Sequence, residues 1–376
     1  MHMQMVWMTM VLKFRPFELE RWLSESRFEC DIDLSASVIT HIKYNELISE
    51  RDLDMPIRIG PTNGSEELRQ EISRLYSGVV SAEGVLVTHG AAEANFLLLN
   101  CLIAPGDECI FLVPNYMQAK GILEAIGAKV KLAWLDEKSN YHPNMEEINE
   151  LTSKKTKAIL ITNPNNPTGA RLTLKELEEI CEIAQNVGAY VIGDEVLCGL
   201  EIDGEKTKSP VEIYEKGIST RSVSKLGLSG LRVGWIATRD STIVKRCWSI
   251  KDYTSLGNSF FNQHVATIVL KKLDLIKERN RKILSHRVEI LMNAVNENKD
   301  LISCIKPQAG STALIRYKPS INSIEYCRRL AQREGVAVSP GDYFEAPQRF
   351  RILYGTTIEK LEKGLQKIIR FTKSLA

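Results

Sequence analysis

The chain has 376 residues, of which 44% are hydrophobic and 26% are charged. This composition is ordinary for a globular protein and excludes a disordered or membrane-spanning chain. The net charge is only +2 and neither sign forms a long run, so no basic tail or stripe is available for nucleic acid and a small-molecule partner is favoured. The length allows about two domains.

The eight cysteines are scattered, with no C-x-x-C pair and no histidine at zinc spacing. We therefore expect no metal site, and we expect mostly buried, reduced thiols in a cytoplasmic protein without a membrane partner. The opening MHMQMVWMTM is apolar, but it lacks the basic start and the small-residue cleavage site of a signal peptide. We interpret it as an over-long start, with Met8 or Met10 as the true initiator.

In chain order, the first predicted element is an amphipathic helix, FELERWLSES, within residues 11–45. From about residue 84 to 250, short apolar runs that end in turn residues alternate with amphipathic stretches. This alternation predicts β-α units that form a mainly parallel sheet. The predicted strands are GVLVTHG (84–90), ECIFLVP (108–114), KAILITNP (157–164), AYVIGDEV (189–196) and GISTRSVS (217–224).

The helix with the clearest ends is predicted over 174–187. Thr173 and Glu176 fit a capping box at its start, and Gly188 fits the position just after its end. From about 258 to 295 a helical period continues without proline or glycine, which predicts one long helix leading out of the first domain.

The remainder of the chain, about 296–376, has the pattern of a smaller α/β domain. Its predicted strands are CIKPQ, STALIRY and FRILYG, and its predicted helices span 322–334 and 358–374. We expect the amino-terminal helix to pack on this same domain. The predicted organisation is an α/β chain with a large domain over 46–270 and a small domain built from 1–45 and 271–376.

Polar residues follow several of the predicted strands at the point where each strand ends. In open parallel sheets, ligands bind beyond the carboxyl ends of the strands, so these residues are expected to share one site. They are His89-Gly90-Ala91-Ala92-Glu93, Asn163-Pro-Asn-Asn-Pro-Thr-Gly169, Asp194, and Ser222-Val-Ser-Lys225.

The segment after Gly90 predicts a phosphate site. A helix that begins there with small residues exposes free backbone N–H groups to an anion, and Ser222 and Arg232 can add hydroxyl and guanidinium contacts. Asp194 ends an apolar strand and is costly to bury unless it meets a cation. Pyridoxal 5′-phosphate needs a phosphate site, an acid facing its pyridinium nitrogen and a Schiff-base lysine. We therefore predict this cofactor, with Lys225 as the lysine.

With these motifs in this order, the chain resembles the fold-type I pyridoxal-phosphate enzymes and, within them, the aspartate-aminotransferase-like class I/II aminotransferases. The opening FRPFELERWLSESRFECDIDLSASV also resembles a subgroup that includes capreomycidine synthase-like aminotransferases. The motifs that carry the family resemblance are G-A-A-E at 90–93, P-N-Y at 114–116, N-P-N-N-P-T-G at 163–169, G-D-E-V at 193–196, S-x-S-K at 222–225, G-x-R-x-G at 230–234 and R-F-R-I at 349–352.

The resemblance implies an aminotransferase that moves an amino group between an amino acid and a 2-oxo acid, as a homodimer with its active site at the interface. It implies catalytic roles for Lys225 and Asp194, with Asp194 facing the ring nitrogen. Its other implied cofactor contacts are Gly90, Ala91, Ala92, Ser222 and Arg232 on the phosphate, Asn166 on the ring hydroxyl and Tyr116 on the ring face.

For the substrate, the resemblance implies that Arg351 pairs with the α-carboxylate, with Asn166 beside it. The residues alone leave alternatives to these implied roles open. Asn166 is also an ordinary turn asparagine in its N-P-x-N-P setting, and Tyr116 is also an ordinary core aromatic residue. Arg349 lies two residues before Arg351 on the same strand face and competes for the role.

Two positions depart from the family pattern. The tyrosine that usually follows the aspartate by three residues is replaced by Leu197, and the tyrosine that usually reaches the partner's cofactor phosphate is replaced by Ile59. These losses favour keeping two alternatives open. One is a pyridoxal-phosphate-dependent lyase or cyclising synthase that acts on the amino-acid side chain, and the other is a non-catalytic ligand-binding relative.

Overall fold

The structure is a computed structural model that describes residues 14–25 and 30–375. The interpretation of the first ten residues as an over-long start lies outside the described residues. The helices are α1 (Glu18–Glu25), α2 (Tyr44–Leu47), α3 (Glu66–Ser73), α4 (Ala91–Leu102), α5 (Gln118–Ile126), α6 (Met145–Leu151), α7 (Leu174–Val187), α8 (Pro210–Ile213), α9 (Ser241–Lys251), α10 (Phe260–Lys271), α11 (Leu273–Glu297), α12 (Ser323–Glu334) and α13 (Ile358–Leu375). Over the described ranges, no helix is both long and apolar enough to cross a membrane.

The strands form three sheets. They are β1 (Ile32–Asp33), β2 (Val85–Thr88), β3 (Glu108–Val113), β4 (Lys129–Trp134), β5 (Thr156–Thr162), β6 (Tyr190–Asp194), β7 (Gly217–Ser222), β8 (Gly234–Thr238), β9 (Ile302–Cys304), β10 (Thr312–Tyr317), β11 (Val336–Ala337), β12 (Ser339–Pro340) and β13 (Arg349–Leu353). The largest sheet has seven strands in the order β2-β8-β7-β6-β5-β3-β4. Only β8 runs antiparallel to its neighbours, so the predicted mainly parallel sheet is confirmed.

Helices cover both faces of this sheet because its central strands are apolar on both sides. In β5, Ala158 and Leu160 pack in one hydrophobic cluster with α4 and α5. Ile159 and Ile161 of the same strand pack in another cluster with α7. This continuous apolar pattern is typical of a parallel strand buried between two helical layers.

The predicted helix over 174–187 is confirmed as α7, with the predicted ends. The Thr173 hydroxyl accepts a hydrogen bond from the Glu176 backbone, and the Glu176 carboxylate accepts from the Thr173 backbone at 2.7 Å. Gly188 closes the helix in the left-handed conformation with φ 71°.

Both ends of the chain meet around the smaller sheets. A four-stranded antiparallel sheet has the order β12-β13-β10-β9, and β1 pairs in parallel with β11. The α1 helix is fixed to this region because the indole N–H of Trp22 donates to the Val338 carbonyl at 2.9 Å. This arrangement places the amino-terminal helix against β12, which pairs with β13, the strand that carries Arg351.

Two predicted elements were placed wrongly. The single helix over 258–295 is broken at Lys272, whose backbone leaves the helical region and whose ammonium group donates to the Leu47 carbonyl at 3.0 Å. The CIKPQ strand ends at Cys304. Beyond it, Gln308 and Ala309 donate backbone hydrogen bonds to Gly169 at 2.9 and 3.0 Å, so this segment joins the turn after β5 instead of a ladder. Both changes arise from contacts between distant segments.

Candidate active site

A cavity of about 500 Å³ lies at the carboxyl ends of the central strands, between the large sheet, α1 and β13. It brings together residues that are far apart in the chain. Of the predicted site residues, all but Gly90 line it directly: Ala91, Ala92, Tyr116, Asn166, Asp194, Ser222, Lys225, Arg232 and Arg351.

One wall of the cavity is the start of α4. The first backbone N–H groups of a helix have no partner within it, so they are free to bind an anion. Gly90 precedes this helix with φ 82°, and a Cβ at that position would lie 2.6 Å from Nη2 of Arg232. A Cβ on Gly234 would likewise meet the Gly90 and Ala91 backbone, at 2.4 and 2.7 Å. The two glycines therefore allow the guanidinium and the helix start to converge.

Asp194 ends β6 at the floor of the cavity. Its carboxylate accepts hydrogen bonds from the Asn95 side-chain amide at 3.0 Å and from the Val196 backbone at 3.2 Å. Withdrawal from solvent raises the pKa of this carboxyl group, and these hydrogen bonds and the positive charge of Lys225 oppose the rise. Within the described ranges the carboxylate has no ion-pair partner, so it is suited to receive a cationic ring nitrogen.

Lys225 follows β7 and projects into the same cavity. Its amine donates to the Ser37 hydroxyl at 2.7 Å. Burial lowers the pKa of Lys225 to about 8, the charge of Arg351 adds to this fall, and the carboxylates of Glu20 and Asp194 oppose it. A lysine with this pKa is partly neutral near pH 8, as a nucleophile or general base requires.

Arg351 and Arg349 have different surroundings, although they share one face of β13. Arg351 is 1% exposed and lines the cavity, where it donates to the Asn166 side chain at 3.0 Å and to the Ser35 carbonyl at 2.6 Å. Arg349 instead pairs with Glu137 at 2.6 Å, away from the cavity. The geometry therefore favours Arg351 as the guanidinium that meets a ligand.

Tyr116 follows β3 and lines the cavity. Its hydroxyl donates to the Glu20 carboxylate at 2.7 Å, and its ring packs edge-on against Phe17 with the ring centres 5.0 Å apart. Burial and the nearby Glu20 charge raise the pKa of Tyr116 well above its ordinary value, so its hydroxyl stays a donor. The tyrosine thus links α1 to the cavity.

Sequence reasoning missed three polar residues that shape this site: Glu20, Ser37 and Asn95. Asn95 had a usable signal, because it is a polar residue in an otherwise apolar helix and lies one turn after Ala91. Its amide donates to Asp194, and its carbonyl accepts from the Thr220 hydroxyl at 2.7 Å. Glu20 and Ser37 had no comparable signal, since only the three-dimensional fold brings them to the cavity.

The two departures from the family pattern lie at different places. Leu197 is 1% exposed and packs beside Gly310. A Cβ added to Gly310 would lie 3.0 Å from the Leu197 side chain. An apolar packing contact therefore takes the place of the usual tyrosine. Ile59 is 57% exposed and bridges to Ser259. The neighbouring Arg58 lies 3.8 Å over the ring of Phe260.

These groups fit pyridoxal phosphate. The helix start and Arg232 suit the phosphate, unpaired Asp194 suits the ring nitrogen, and Lys225 supplies the amine that condenses with the aldehyde. Since each group has the chemistry that its part of the cofactor needs, the cavity defines a pyridoxal-phosphate site of the aminotransferase kind.

Comparison with known proteins also indicates a pyridoxal-phosphate enzyme of the aminotransferase kind. The model of the aminotransferase class I and II family matches residues 39–368, and the chain belongs to this family. It is 30% identical over 361 residues to capreomycidine synthase from Streptomyces vinaceus, covering 93% of this chain and 92% of the relative. It is 28% identical over 312 residues to aspartate aminotransferase from Thermotoga maritima, covering 82% and 81%.

A solved structure gives the same result for the fold. The crystal structure of a pyridoxal-phosphate-dependent aminotransferase from Streptococcus suis is 33% identical, with a TM-score of 0.91 over 97% of this chain and 99% of that one. The protein is therefore a pyridoxal-phosphate-dependent aminotransferase with the aspartate-aminotransferase-like fold. This assignment sets aside the non-catalytic alternative.

Proposed function

We propose that the cavity around Lys225 is the site where the amino group passes between an amino acid and a 2-oxo acid. The observation that carries this proposal is the meeting of three groups at one cavity: the amine of Lys225 with its lowered pKa, the unpaired carboxylate of Asp194, and the buried guanidinium of Arg351. Bound pyridoxal phosphate supplies the electron sink and carries the amino group between the half-reactions.

Arg351 holds the substrate α-carboxylate in this proposal. A guanidinium can form two parallel hydrogen bonds to a carboxylate. Its Nε atom is buried without a hydrogen-bond partner among the described residues, so donor capacity is still available. Fixing the carboxylate there limits the positions of the substrate Cα relative to Lys225.

Lys225 moves the proton. Its neutral Nζ would take up the proton of the substrate Cα and then release it again, which is general base and then general acid catalysis, worth about 10²–10⁴ in rate. The Ser37 hydroxyl, 2.7 Å from Nζ, orients the amine. With the cofactor bound, Asp194 would hold the proton on its ring nitrogen, and Asn95 fixes the Asp194 carboxylate through a hydrogen bond.

We also propose a homodimer with the active site at its interface. The support is a set of large apolar side chains that are exposed in the single chain, near the bridge between Ile59 and Ser259. Exposed apolar surface of this kind marks interaction sites. Its members are Leu53, Ile57, Ile59, Tyr253 and Leu256.

The proposed domain boundaries are those expected from the sequence, with a large domain over 46–270 and a small domain from 1–45 and 271–376. The separate large and small sheets support this division. A cytoplasmic location is supported by six buried cysteines that are thiols and not disulfides: Cys101, Cys109, Cys181, Cys198, Cys247 and Cys327.

To test this proposal, single amino acids are added to the purified holoenzyme with no 2-oxo acid present, and the form of the cofactor and the 2-oxo acid released are measured. Transamination predicts conversion of the cofactor to its amine form and one equivalent of 2-oxo acid per site, after which the reaction stops.

A second candidate function is a lyase or cyclising synthase. It is favoured by the replacement of the usual tyrosine by Leu197 and by the relationship to capreomycidine synthase. That activity predicts ammonia, 2-oxo acid or a cyclised product in excess of cofactor.

A further inference from the structure

We propose that Glu20 makes this active site selective for amino acids whose side chain ends in a cationic group, an ammonium or a guanidinium. The inference rests on the proposed function, because it requires Arg351 to hold the α-carboxylate while the substrate side chain extends to Glu20, which lines the same cavity.

Glu20 is held at the cavity by the packing of α1. Phe17, Glu20 and Leu23 are spaced by three residues, so they lie on one face, and all three line the cavity. Leu19 is fully buried, and Trp22 is hydrogen bonded to Val338. The carboxylate is thus a fixed part of the wall and not a free surface group.

The charge of Glu20 is not neutralised by the residues that the structure describes. Its side chain accepts one neutral hydrogen bond, from the Tyr116 hydroxyl at 2.7 Å, and no lysine, arginine or histidine of the described ranges forms an ion pair with it. A carboxylate has about four acceptor positions. Glu20 lines the same cavity as Lys225 and Arg351, and its charge opposes the fall in the pKa of both groups.

The positively charged residues that line the cavity are each placed for a group other than the substrate side chain. They are Lys225, Arg232 and Arg351, which are placed for the cofactor aldehyde, the phosphate and the α-carboxylate. A side-chain carboxylate, as in aspartate, therefore meets the negative charge of Glu20 and finds no free cation among the described lining residues. A cationic side chain instead gains a charge-assisted hydrogen bond, while its aliphatic stem packs against Phe17 and Leu23.

The test measures binding without catalysis. Three acids that lack an α-amino group are titrated into the holoenzyme by calorimetry: 5-guanidinopentanoate, its uncharged isostere 5-ureidopentanoate, and the dicarboxylate adipate. A hydrogen bond to a charged group predicts that the guanidino acid binds about 10–100-fold more tightly than the ureido acid. Adipate is expected to bind most weakly of the three.

Variants then assign the effect to Glu20. Glu20→Gln should remove most of the preference for the guanidino acid over the ureido acid, because the neutral ureido group makes a hydrogen bond to the Glu20 carboxylate but no ion pair and so loses less affinity. Glu18→Gln, an exposed carboxylate in the same helical turn, is the matched control and should bind all three acids as wild type does.

Equal binding of guanidino and ureido acids by the wild type, or tightest binding of adipate, would overturn the inference and leave the proposed function intact. If none of the three acids binds and Arg351→Lys also leaves the reaction with amino acids unchanged, the proposed function itself fails.

Discussion

Replacing Arg351 with lysine tests the substrate-binding role most specifically, because the change retains the positive charge and removes the planar fork of donors. Arg351 is almost fully buried, and one of its Nη atoms already donates to the Ser35 carbonyl at 2.6 Å. The variant should therefore lose one charge-assisted hydrogen bond to the substrate carboxylate, worth about 1.5–3 kcal/mol. That loss corresponds to a decrease of about 10–100-fold in kcat/KM.

The assay is the second-order rate constant of the half-reaction with the best amino acid from a panel. Arg349→Lys is the matched control, since Arg349 lies on the same strand face but pairs with Glu137 at 2.6 Å, and its rate constant should stay within about twofold of wild type. The thermal midpoint of each variant separates lost binding from lost folding. An unchanged rate constant for Arg351→Lys, or an equal fall of the rate constant in both variants, would show that Arg351 does not bind the substrate carboxylate.

Two further outcomes follow from the cavity. Because burial lowers the pKa of Lys225 to about 8, the neutral amine predominates above that pH, so cofactor capture by the apoprotein should accelerate through pH 8 and level off by about pH 9. Stopped-flow absorbance measures this, and a rise only near pH 10.5 contradicts it. Gly90→Ala should weaken cofactor binding about 10–100-fold, as expected when a charged contact to the phosphate is lost, because the added Cβ displaces Arg232. Gly106 has a φ similar to that of Gly90, but the space around it is open. The control variant Gly106→Ala should therefore leave the cofactor Kd unchanged.

The sequence predicted the large sheet well because its signals are local. Short buried runs that end in turn residues located β2, β3, β5, β6 and β7. It did not reveal β4 or β8. β4 is a partly exposed edge strand without a buried apolar run. β8 is antiparallel and is separated from β7 only by two short 3-10 turns, so the β-α alternation does not predict it. The break at Lys272 was also hidden, since no proline or glycine marks it and buried leucines at 270 and 273 flank it.

The candidate site was predictable where residues follow strands or belong to motifs, as with Asp194, Asn166 and Lys225. The family resemblance pointed to Arg351, while the residues alone left Arg349 as a competitor. The fold separates the two, because Arg351 lines the cavity and Arg349 pairs with Glu137. Glu20 was hidden because its role depends on how α1 docks against Tyr116, a contact between residues 96 positions apart.

Transfer of the substrate proton by Lys225 in this cavity is tested by the Lys225→Ala variant. The variant reconstituted with cofactor is mixed with the best amino acid, and conversion to the amine form is followed by absorbance, with and without added methylamine. We expect that the cofactor is retained, that conversion slows at least about 10²-fold, and that methylamine restores part of the rate. Conversion at the wild-type rate without added amine would contradict this expectation.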